Sequence, residues 1–95
     1  MNKVMITGNI ARISEKEKVL YLTVASDSRR KEEADFITAK AFGSTKDFIA
    51  KYFEKGKSIL YEAHISTSRR IDKNTGEAEY YTDIVIDNVE FNGKK

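Results

Sequence analysis

Cysteine is absent from the 95 residues, and histidine occurs once. Disulfides and thiolate metal sites are therefore excluded, and one imidazole cannot assemble a zinc site. Proline and tryptophan are missing too. No apolar run approaches the roughly 20 residues of a membrane-spanning helix. The N-terminus alternates and lacks the continuous apolar stretch of a secretion signal. A soluble, cytoplasmic protein is expected. Catalysis has few footholds: there is no phosphate-cradling glycine loop, no metal-ligand set, and no nucleophile–base pair around His64. Asp83 and Asp87 share a strand face, but a bare spacing of carboxylates is common. Neither enzymatic activity nor a cofactor or metal is expected. A large excess of one charge is lacking as well, since 17 basic residues face 15 acidic ones for a net charge of +2.

What the chain does carry is the segment DFITAKAFG at 35–43. Read as a strand, it places Phe36, Thr38, Lys40 and Phe42 on one face and Ile37, Ala39 and Ala41 on the other. The small aliphatic set suits a packed interior. The first set puts a cation between two aromatic rings, which suits stacking on bases and neutralising phosphates. The competing reading is a core strand with both Phe rings inside and Lys40 at its edge, since Phe is usually buried.

Placement of charge says more than its sum. Arg29, Arg30 and Lys31 form one basic cluster, and Arg69, Arg70 and Lys73 another. Much of the acidity lies elsewhere, at Glu32, Glu33, Glu77 and Glu79. Either cluster alone also fits a solvated loop. The length corresponds to one small domain, 1–95, with a thin core that buries about 60–65% of its unfolded surface. An oligomer interface is a natural further source of stability.

Hydrophobic periodicity predicts five strands and one helix. The first strand, 4–13, sets Val4, Ile6, Gly8 and Ile10 on one face, and Gly8 signals a bend, a bulge or a close backbone approach. A charged turn follows at 14–18. The second strand, 19–25, faces Leu20, Leu22 and Val24 inward, with Tyr21 and Thr23 outward. A polar loop at 27–34 leads to the third strand, 35–42. The period then changes. Ser44 is the expected N-cap of a helix over 45–55, with Asp47 near its positive end and Gly56 as the C′ stop. Phe48, Ile49, Tyr52 and Phe53 make its apolar stripe. The fourth strand, 58–68, alternates Ile59, Tyr61, Ala63 and Ile65 with Leu60, Glu62, His64 and Ser66. A turn over 71–78 and a fifth strand over 80–91 complete the pattern, with a short frayed end expected at 92–95. Tyr80 and Tyr81 must face opposite ways, one structural and one free for contact. His64 is expected to be an ordinary strand or interface residue.

Three strands, a helix and two strands is the layout of the all-β, five-stranded Greek-key barrel called the OB-fold. Its binding face uses strands two and three with the loops joining strands one–two and four–five. That geometry would gather Tyr21, Phe36, Lys40 and Phe42 on one face, flanked by the two basic clusters.

The segments NKVMITGNI, DFITAKAFG, IAKYFEKGKSI and DIVIDNVEF, in this order, resemble the bacterial-type single-stranded DNA-binding proteins over residues 2–93. The resemblance implies a barrel that coats single strands with little sequence preference, in replication, recombination or repair. It implies a homotetramer, or a dimer, whose first strands pair between subunits through Asn2, Lys3, Val4, Met5 and Ile6. Phe36 and Phe42 match stacking positions. Arg69 matches a basic contact just after strand four, and Lys55 one at the helix end. Arg29 and Arg70 fall where many members carry Trp; a guanidinium can stack on a base and also pair with phosphate. Ala63 stands where a glycine is common. Members usually end in a flexible linker and acidic tip that recruit replication or repair enzymes, whereas this sequence stops at Asn92-Gly93-Lys94-Lys95. A tailless primosome-type adaptor and a single-stranded RNA-binding module are the alternatives.

Overall fold

A computed structural model describes residues 1–27 and 34–91. The expected Arg29, Arg30 and Lys31 contacts, and the expected chain end at 92–95, lie outside the described residues. Five strands and one helix follow in the order β1 (Val4–Glu15), β2 (Leu20–Asp27), β3 (Ala34–Ala41), α1 (Gly43–Tyr52), β4 (Ser58–Ile71) and β5 (Ala78–Phe91). The strands close a barrel in the order β1-β2-β3-β5-β4. This is the OB-fold. Neighbours pair antiparallel except β3 and β5, which meet in parallel through Lys40 and Val85.

Alternation decides what is buried. Leu20, Leu22 and Val24 of β2, Ala39 and Ala41 of β3, and Ile59, Tyr61 and Ala63 of β4 all point inward. Ile10 and Ile86 complete the walls, and Ile49 and Phe53 enter the same core from α1 and the residue after it. Of the three roles open to Gly8, close approach is the one observed. A Cβ there would overlap the Ala25 carbonyl oxygen and come within 2.8 Å of Val24 Cγ1. The bulge in β1 falls later, between Ile10 and Arg12.

The helix differs from its expected limits at both ends. It starts at Gly43, whose φ of +58° turns the chain out of β3, and its N-cap is Phe42, not Ser44. No side chain caps it, and Asp47 lies beyond the first turn. At the other end Phe53 turns extended, its N–H donating to Ile49 O at 3.0 Å. Gly56 has a positive φ but is not C′. Its N–H donates to Ile10 O, and Ile10 N–H donates to Lys57 O, both at 2.8 Å. The helix stops early because these backbone groups find partners on β1.

Strands β1, β4 and β5 are longer than expected. β1 takes in the first two residues of the expected turn, to Glu15, and the chain reverses over 16–19, where Lys16 N–H donates to Val19 O at 2.8 Å. β4 and β5 pair from Ile59 with Phe91 to Ile71 with Ala78. Their distal halves leave the barrel as a two-stranded ribbon. The radius of gyration, 14.9 Å, accordingly exceeds the roughly 12 Å of a compact chain this long. Asp72 organises the ribbon's tip: its carboxylate accepts from Asn74 N–H, its carbonyl from Gly76 N–H. At the ribbon's root the Asn2 side chain pairs with the Ile65 peptide, donating to its carbonyl at 2.6 Å and accepting from its N–H at 2.9 Å.

Candidate nucleic-acid interface

Strand alternation carries β3's aromatic set to the outside. Phe36 is 68% exposed and Phe42 46%, so the buried-Phe reading of this strand falls. Phe42 lies just past β3, but its extended backbone (φ −129°, ψ 161°) continues the alternation. Six residues at ~3.3 Å each set the two positions roughly 20 Å apart. Leaving a Phe side chain in water forgoes about 1.5–3 kcal/mol of burial. Two such residues on one face are hard to explain by folding alone.

Between them the face is polar and ordered. Across the β2–β3 ladder, Phe36 pairs with Ala25, Thr38 with Thr23, and Lys40 with Tyr21. The two threonine hydroxyls are hydrogen-bonded at 2.9 Å. Lys40 Nζ lies 5.8 Å from the centre of the Tyr21 ring and 3.2 Å from Asp83 Oδ2. Tyr21 is half-buried and so braces the face as well as lining it.

A shallow groove of about 320 Å³ runs beside these residues, lined by Arg12, Ser14, Lys16, Tyr21, Thr23 and Thr38. Arg12 and Lys16 were not among the expected contacts. Unbroken alternation from Ile10 turns Arg12 inward, and Lys16 falls in the expected turn. The bulge between Ile10 and Arg12 reverses the alternation, so Arg12 aligns with Thr23 and Ser14 with Tyr21 on the outward side. The usable signal was the basic–polar–basic spacing of residues 12, 14 and 16.

The ribbon divides the second basic cluster. Arg69 lies within β4, opposite Tyr80, not after the strand. Arg70 is adjacent and therefore on the other face, aligned with Glu79. Its guanidinium lies 5.5 Å from the centre of the Tyr81 ring, and Tyr81 donates its hydroxyl hydrogen to Glu79 Oε1 at 2.9 Å. Arg70, Tyr81 and Asp83 share the outward face with Lys40. Arg69, Tyr80 and Ile71 share the face that continues from the barrel interior. The two tyrosines face opposite ways, as alternation requires, and both are exposed, at 72% for Tyr80 and 42% for Tyr81. Lys73 sits at the ribbon's tip. Lys55 lies in the turn after α1, near Arg12 across a second cleft lined by Ala11, Ile13 and Phe53. It is not brought to the outward face of β3.

The two carboxylates of β5 have separate tasks. Asp83 holds Lys40. Asp87, at a register shift of β5 against β4, accepts from His64 Nδ1–H with both oxygens at 2.9 Å. Among the described residues no group of three or more His, Cys, Asp or Glu is arranged to hold a metal ion. No described helix is long and apolar enough to cross a membrane. The residues expected at a subunit interface lie on the N-terminal half of β1 and just before it. Asn2 and Lys3 are engaged with their own β4, Lys3 through an ion pair to Glu62 that raises its pKa by hydrogen bonding and charge. Val4 and Ile6 pack half-buried against the core, and Met5 is exposed.

Known proteins sharpen this picture. A single-stranded DNA-binding protein of Clostridium perfringens is 32% identical over 96% of this chain. Another from Fusobacterium nucleatum is 34% identical over 75% of it. Single-stranded DNA-binding protein 3 of Clostridium acetobutylicum is 33% identical over 96% of the chain and 70% of its own length. The chain spans 65% and 45% of the lengths of the first two relatives. In fold, it superposes on the mitochondrial single-stranded DNA binding protein of S. cerevisiae with a TM-score of 0.71, at 19% identity, over 95% of this chain and 93% of that one. The family model of the single-strand binding proteins matches residues 1–92. By barrel, sequence and span, the chain belongs to the single-strand binding protein family.

Proposed function

We propose that this protein coats single-stranded DNA by stacking and charge neutralisation, without chemistry. One observation carries the reading: two phenylalanines stand exposed on a barrel face that also presents Tyr21, Lys40 and the Arg12–Lys16 groove. Phe36 and Phe42 stack on splayed bases, each contributing ~1–3 kcal/mol. Arg12, Lys16 and Lys40 lie along the sugar–phosphate backbone. Arg70 and Tyr81 extend the track up the ribbon, with Lys73 at its tip. Each phosphate neutralised releases condensed counterions, which makes affinity fall with salt at a log–log slope of about −0.7 per contact. Duplex DNA keeps its bases stacked internally and offers only its phosphates.

The first strand also offers a surface for self-association. The N-terminal half of β1 pairs β4 on one edge, its later half pairs β2, and Met5 is 61% exposed. We infer that this half of β1 joins a second copy, building a homotetramer or a dimer that lengthens the binding track.

The test is fluorescence anisotropy with a labelled oligo-dT, the matched duplex and a matched RNA, at two salt concentrations. Salt-sensitive preference for the DNA single strand is expected. Changing Phe36 and Phe42 together to Ala should weaken oligo-dT binding at least about 30-fold, while thermal unfolding and oligomeric state stay the same. Equal binding to duplex would sink the coating function. Preference for the RNA would move the protein to RNA binding, and unchanged affinity in the double variant would dismiss this face.

A further inference from the structure

Lys40 is the cation nearest the middle of the outward face, and its ammonium is already engaged. Nζ lies 3.2 Å from Asp83 Oδ2, with both side chains about one-third exposed, at 30% and 33%. The pairing follows from topology. Lys40 is the residue at which β3 meets β5 in parallel, opposite Val85, and Asp83 precedes Val85 by two residues on the same side of β5. Closing the barrel therefore delivers the carboxylate to the lysine. Tyr21, 5.8 Å from Nζ, flanks the pair on β2.

A phosphate approaching Lys40 meets an anion with the same appetite for N–H donors. Lysine has three such donors, but two anions sharing them repel each other. The pair as a unit is neutral, so it neutralises no phosphate and releases no counterion from the strand. Resting on the single-strand reading above, we propose that Asp83 is an affinity-setting residue: its carboxylate competes with backbone phosphate for Lys40, and the strand binds there by exchanging one anion for another. Asp83 thereby lowers both the affinity and the salt sensitivity of the face.

Asp83→Asn keeps the shape of the side chain and removes its charge. At low salt this variant should bind oligo-dT more tightly, by up to about fivefold for a partly exposed pair. Its log–log salt dependence should steepen by about 0.7, one added phosphate contact. The gain should vanish when Lys40→Gln is present, because nothing is left to compete for. A gain of equal size in the Lys40→Gln background would overturn the proposal, by tracing the effect to net charge alone. So would equal or weaker binding by Asp83→Asn, which would make Asp83 a residue that positions Lys40. Wild-type binding without the gain defeats the Asp83 inference alone; no binding by either protein defeats it together with the single-strand reading.

Discussion

Strands β4 and β5 form a barrel wall over one half of their length and a free ribbon over the other. In the wall, Ile59, Tyr61, Ala63 and Ile86 are at most 4% exposed. In the ribbon, Ile65, Ile71, Tyr80 and Tyr81 lie between 42% and 72%. The ladder itself continues to Ile71 and Ala78. What changes is the layer behind it, because β1 and α1 cover only the first half. Backbone pairing is thus enough to keep a strand regular, while burial is what fixes its share of stability. The wall holds the fold together, and the ribbon offers surface.

The same residue type in both halves of one strand gives the largest contrast. Ile59→Ala removes a fully buried side chain and should destabilise the protein by about 2–5 kcal/mol. Ile71→Ala, at a residue 55% exposed, should stay within about 0.5 kcal/mol. Urea denaturation reads both, and similar losses would mean that the ribbon packs against a partner in solution. A smaller effect separates the ribbon's two faces. Arg70→Ala removes the cation beside Tyr81 and should weaken oligo-dT binding by about 1 kcal/mol. Arg69→Ala, on the opposite face, should do less in the same anisotropy titration. Equal losses would run the strand over both faces.

The smallest effect concerns the wall alone. The Tyr61 hydroxyl is buried with no hydrogen-bond partner among the described residues, and burial pushes its pKa up to about 12 from 10.0. Below pH 10 the phenol is neutral folded or unfolded, and stability is unaffected. Between pH 10 and 12 only the unfolded chain loses the proton, so stability falls as pH rises. Tyr61→Phe should hold or raise stability by at most about 1 kcal/mol at neutral pH. It should also remove this part of the alkaline decline, read as urea midpoints on either side of pH 10. An unchanged decline would assign it to other groups.

The outward display of Phe36, Phe42 and Lys40 was legible in the sequence, because strand alternation is local and has a period of two. The same rule placed Leu20, Leu22 and Val24 inside. Local rules failed where a distant partner decides. Helix α1 ends at Tyr52 because the backbone of Gly56 and Lys57 bonds to Ile10, and no helix signal encodes β1. The polar run at 66–68 looks like the end of a strand, so the sequence reads Arg69 and Arg70 as one cluster, which pairing with β5 separates onto two faces. Lys40's tie to Asp83 depends on a parallel closure of β3 on β5, whose meeting residues, Lys40 and Val85, lie 45 apart in sequence. The charge pattern alone showed a lone lysine between aromatics.

The contact between Asn2 and the Ile65 peptide has a consequence for solubility. A carboxamide presents N–H and C=O side by side, as a peptide edge does, and here one of each is engaged by β4 just past the point where β1 stops. An open strand edge invites further strands, and natural sheets guard theirs. One side chain plugs the first open rung of this edge, where a longer first strand would otherwise be needed. The root of the ribbon is thereby closed to edge-to-edge aggregation, while its two faces remain free for partners.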